Sequence, residues 1–101
     1  MLADLQHEIE YGLEKALRNF DAAYYKLTMA KDQLRAAEDT FNARVALFKI
    51  DKISIDDLIT SQQNLLDAQT NKFQQLTEYE TARIQVQLER GTLVEDLTGA
   101  R

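Results

Sequence analysis

Proline and cysteine are absent from this 101-residue chain, and glycine occurs only three times. So little interrupts the backbone that long helices are the default expectation. The missing cysteines remove disulfides and thiolate chemistry, but leave the redox compartment open. Long hydrophobic runs are missing too. The longest, Val45-Ala46-Leu47-Phe48, falls far short of the roughly 20 apolar residues that a membrane-spanning helix needs. Positive charge is in deficit: the net charge is −5 and the pI about 4.8, which argues against nucleic acid as a partner. The opening Met1-Leu2-Ala3-Asp4 has neither the basic region nor the apolar stretch of a signal peptide. The expectation is either a cytoplasmic protein or a segment of a longer chain.

What is present is mostly Ala, Leu, Gln, Glu, Lys and Arg, all good helix residues. Leu13, Phe20, Leu27, Leu34, Phe41 and Phe48 recur every seven residues. Three residues after the first five stand Ala16, Ala23, Ala30, Ala37 and Arg44. Large side chains alternating with alanines make a seam along which two helices approach closely. The spacing predicts a helix over about 4–50. Gly12 inside it costs roughly 1 kcal/mol against alanine and reads as tolerated.

A second helix is predicted over about 54–90. Ser54 is placed to cap it, with Asp57 three residues on as a variant capping box. Asp56 and Asp57 set negative charge against the positive end of the helix dipole, and Ile53 is placed to staple onto Leu58. Arg90 and Gly91 read as the stop. That leaves 51–53 for the turn, so the helices must be antiparallel neighbours. The chain is therefore read as all-α, one long antiparallel coiled-coil hairpin over 1–101. Folding about the turn sets Phe48, Phe41, Leu34, Leu27, Phe20 and Leu13 level with Leu58, Leu65, Lys72, Tyr79, Val86 and Leu93. Lys72 lays its methylenes along Leu34 and carries its ammonium outward.

One seam does not use up the apolar residues. Ala22, Met29, Ala36, Ala43 and Ile50 form a second stripe on the first helix, with Leu17, Tyr24 and Val45 on another flank. Ile59, Leu66 and Phe73 form one on the second, near Leu76. Stripes that a hairpin cannot cover mark an interface, with Met29, Leu66 and Phe73 the lateral contacts expected. Gln62, Gln63, Gln69, Gln74, Gln75, Gln85 and Gln87 give the second helix an uncharged polar face, suited to a hydrated channel or to plain solvent.

The residues offer little chemistry. His7, the only histidine, has Asp4 at i, i+3 spacing, but a carboxylate-bridged metal pair needs several more inward ligands. No glycine-rich phosphate loop is present, and no nucleophile has a base beside it. Tyr11, Tyr24, Tyr25 and Tyr79 read as core or interface aromatics. No catalytic residues, cofactor or metal are expected.

The turn reads Leu47-Phe48-Lys49-Ile50-Asp51-Lys52-Ile53-Ser54-Ile55-Asp56-Asp57-Leu58-Ile59-Thr60-Ser61-Gln62. It resembles the periplasmic tip of the TolC-like outer-membrane efflux proteins: an aromatic residue, two variable ones, glycine, Ser or Thr, an aliphatic and an acidic residue. Leu65-Leu66-Asp67-Ala68, Tyr79 and Gly91-Thr92-Leu93 continue the likeness, and the ending is more similar to the second of that family's two repeats. The resemblance covers about residues 27–97. It implies a trimeric outer-membrane conduit with a membrane β-barrel and a periplasmic tunnel of such hairpins. The tip residues Ile50, Asp51, Lys52, Ile53 and Ser54 would dock a pump's periplasmic adaptor, and Asp57 would face the tunnel entrance. The β segments that meet the membrane are absent from this chain, which would be a segment of the larger protein. The family's tip glycine is Asp51 here. Positions where some relatives carry a tyrosine–arginine latch hold Phe48 and Ile53, and Thr60 replaces a second acidic residue. Two other readings stay open. One is a hairpin that dimerises into a four-helix bundle for scaffolding or signalling, the form also expected of the segment alone. The other is the hairpin of the adaptor itself.

Overall fold

The computed structural model describes the backbone of residues 2–98 and the side chains of residues 7–91. Two helices account for nearly all of it. Helix α1 spans Leu2–Lys49, 48 residues, and α2 spans Ile55–Thr98, 44 residues. They form the expected antiparallel hairpin, with no strand among the described residues.

The expected boundaries need two corrections. Helix α2 does not stop at Arg90 but runs through Gly91 to Thr98. Glycine ends a helix when it turns left-handed, and Gly91 keeps a φ outside that region, with open space around it. A glycine left in helical conformation costs only about 1 kcal/mol, too little to stop a helix. The turn also takes one more residue on each side than expected, occupying 50–54, because Ile50 and Ser54 act as caps rather than as helix.

The hairpin divides into two compact units. The base-side unit, Met1–Tyr25 with Thr77–Arg101, buries Ile9, Ala16, Ala23 and Val86. Leu13, Phe20, Tyr79, Ala82 and Glu89 are half-buried along the same seam. The Tyr79 ring stands 5.1 Å from Phe20, tilted by 36°, and 6.1 Å from Tyr24. The simple register had placed Phe20 opposite Val86 and Tyr79 opposite Leu27. A tyrosine is long enough to reach between heptad layers, and this one packs on Phe20. Gly12 lies against the end of the Glu89 side chain: a Cβ there would come within 2.8 Å of the Glu89 Oε2. The expected layer at Leu93 lies outside the described side chains.

The tip-side unit, Lys26–Leu76, buries Leu27 and Ala30, along with the polar Ser61. Leu34, Ala37, Phe41, Arg44 and Phe48 are half-buried, as are Leu58, Leu65, Ala68 and Lys72. Leu34 and Lys72 line one groove, with Gln69, Phe73 and Leu76. Ser61 falls three residues after Leu58 and four before Leu65, so it takes a small-residue seam position opposite the large side chains of α1.

Candidate functional site

The tip is built from two helix ends. At the end of α1, Lys52 N–H donates to the Leu47 carbonyl at 2.9 Å and Asp51 N–H to the Phe48 carbonyl at 3.0 Å. This pair of bonds is the Schellman arrangement, which requires a left-handed residue just past the helix. Asp51 is that residue, with φ 58°. An L-residue pays roughly 1 kcal/mol there, and aspartate tolerates it better than most. Helix α2 starts on Ser54, whose Oγ accepts from the Asp57 N–H at 3.2 Å. The first intrahelical bond runs from Leu58 N–H to the Ser54 carbonyl at 3.3 Å. The capping box is one-sided: among the described residues the Ser54 N–H makes no bond to the Asp57 carboxylate, since aspartate is one methylene shorter than the usual glutamate. The Thr60 hydroxyl turns back to the Asp56 carbonyl at 3.0 Å, a local bond that occupies it.

The tip residues named from the sequence thus come together on one short turn, but they are not equally exposed. Ile50 is 61% exposed, while Ile53 is half-buried in the place a staple onto Leu58 predicts. Asp51, Lys52, Ser54 and Asp57 are exposed.

The lateral residues are exposed as well: Met29 by 46%, Leu66 by 54% and Phe73 by 70%. They do not share a side. Met29 lines a groove with Lys26, Ala30, Gln33, Asn71 and Gln75. Phe73 lines another with Leu34, Gln69, Lys72 and Leu76. At 3.6 residues per turn these two grooves flank the seam on opposite sides, and the Ile59, Leu66 and Phe73 stripe belongs to the second side.

No protein-family model, curated protein or solved structure matches the chain.

One polar feature escaped the sequence reading, which put Gln75 on a solvent-facing or channel-facing surface. The Gln75 Nε2 donates to the Asn71 Oδ1 at 3.4 Å, and the Asn71 Nδ2 donates across the seam to the Gln33 Oε1 at 3.5 Å. The Gln75 Oε1 is buried with no partner. The available signal was position: Gln75 follows Lys72 by three residues, as Ser61 follows Leu58, and so falls on the seam. The remaining sequence candidates add no chemistry. His7 is exposed, and the side chain of Asp4 lies outside those described. Among the described residues no three His, Cys, Asp or Glu side chains gather, and no helix is long and apolar enough to cross a membrane.

Proposed function

We propose that this hairpin is one stave of a helical tube: the periplasmic hairpin of a trimeric, TolC-like outer-membrane efflux conduit, whose tip docks a periplasmic adaptor. The observation that carries this reading is the exposure of apolar side chains on both sides of the tip-side seam, Met29 on one and Leu66 and Phe73 on the other. A two-fold dimer uses the same patch on both copies and covers one side only. A head-to-tail arrangement covers both, and closes when its rotation completes a ring. The rival four-helix bundle leaves one stripe in water and is disfavoured for that reason.

The tip adds support. Asp51 adopts the left-handed conformation at the position where the resembled family has glycine. Beside it Ile50 presents apolar surface at the extreme end of the hairpin, where no fold requirement explains it. In this reading the exposed glutamines, Gln75 apart, face the lumen and Asp57 the tunnel entrance. The membrane β-barrel and the other hairpin belong to the rest of the parent protein.

Ile50 is the cleaner probe, because Ile53 is half-buried next to the start of α2. In the full-length parent protein, Ile50→Glu should lower export and abolish adaptor cross-linking at the tip while trimers still assemble. Undiminished export by the folded variant would remove the tip from the mechanism.

A further inference from the structure

The seam has a property that the hairpin does not use. Ala16, Ala23, Ala30, Ala37 and Arg44 of α1, and Leu58, Leu65, Lys72, Tyr79 and Val86 of α2, all fall in one seven-residue frame. The frame does not slip at the turn: the position between Arg44 and Leu58 is Asp51. The companion seam positions, Phe41 and Phe48 before the turn and Ser61 and Ala68 after it, shift by a single three-residue stammer. A coiled coil absorbs such a stammer by local overwinding. If residues 50–54 became helical, both seams would therefore face the same side of one continuous helix. Nothing in that segment forbids the change, for it contains neither proline nor glycine. The closed turn instead holds a non-glycine residue at φ 58°, and short hinges under strain invite exchange of elements between copies.

We infer that Asp51 decides whether the chain pairs with itself or with a second copy: its left-handed turn closes the hairpin, and its charge opposes the alternative, an opened helix paired antiparallel with another opened helix through the same seam. In the opened pair α1 of one copy meets α2 of the other, so the seam contacts are retained. The two Asp51 carboxylates would then face one another near the two-fold axis, inside the seam, where like charges are costly. An apolar helix-forming residue at 51 removes that repulsion and penalises the left-handed turn at the same time. This inference does not depend on the efflux reading, because it concerns the seam and the turn rather than the exposed flanks.

The test exploits the Gln33–Asn71 contact and the absence of native cysteine. With Gln33→Cys and Asn71→Cys as background, the chain is unfolded, refolded at high concentration, oxidised, and run on a non-reducing gel. The Asp51 parent and Asp51→Gly should cross-link within one chain. Asp51→Leu should move most of the cross-linked product to the covalent dimer, while circular dichroism shows undiminished helix. Asp51→Ala, a milder change, should move a smaller share the same way and serves if the leucine variant folds poorly. Association through the exposed flanks leaves the cross-link within the chain, so it does not imitate the result. Intrachain cross-links throughout in both Asp51→Leu and Asp51→Ala would overturn the inference, as would an equal yield of interchain product from the Asp51 parent.

Discussion

In the base-side unit aromatic rings, Phe20, Tyr24 and Tyr79, pack across the seam; in the tip-side unit the amides Gln33, Asn71 and Gln75 run beside the apolar seam of Leu27, Leu34, Phe41 and Leu65. Both units bury alanine on the seam, Ala16 and Ala23 in one and Ala30 in the other, and the larger side chains make the difference. Ring packing contributes stability and tolerates sliding, because one ring can rest on either of two neighbours. The Tyr79 ring, off its simple register, is an instance. A polar residue in a seam lowers stability but accepts only the register in which its bonds are made. The rings are therefore expected to contribute mainly stability, and the amides mainly alignment.

Removing the ring should have the largest effect. Tyr79→Ala loses a half-buried aromatic side chain and its contacts with Phe20 and Tyr24, for a cost of about 2–3 kcal/mol in urea unfolding. A loss below about 1 kcal/mol would mean that the base-side seam does not rest on its rings. The opposite sign is expected in the other unit. Gln75→Leu removes the buried oxygen that has no partner and should stabilise the hairpin by about 1 kcal/mol. A destabilised Gln75→Leu protein would show that the amide contributes more than alignment.

How far these regions were legible in the sequence follows the same division. The alanine-and-large-residue seam is a periodic signal many residues long, and helices, antiparallel pairing and the core stripe follow from it. The Ser54 cap was legible because the N-cap position favours few residue types. The seam role of Gln75 was hidden, since a glutamine among many glutamines reads as solvated face until its neighbours across the seam are known. The end of α2 was misread for a related reason: glycine permits a left-handed stop without imposing one, and only the continuing backbone decides. That Met29 and Phe73 occupy opposite flanks required the seam to be fixed first.

The smallest effect distinguishes two glycines, both within α1 or α2 of the base-side unit. Gly91 is exposed in α2, and a methyl group added there would meet nothing within 4 Å. Gly91→Ala should therefore gain the full difference in helix propensity, about 1 kcal/mol, or about 4–8 °C in Tm for a domain of this size. Gly12 is in α1, where an added Cβ would meet the Glu89 carboxylate at 2.8 Å. That carboxylate also accepts a bond from the Gln85 Nε2 at 3.0 Å. It is the far end of a flexible side chain, so it can swing aside, but doing so strains or breaks the Gln85 bond, which is worth about 0.5–1.5 kcal/mol. Gly12→Ala should accordingly gain only a few tenths of a kcal/mol. Thermal unfolding of the two single variants and the double variant measures the difference. Equal gains would mean that Glu89 moves away at no cost and that Gly12 serves no close contact. A loss at Gly91→Ala would mean that the helix turns at that residue in solution, restoring the stop that the sequence alone suggests.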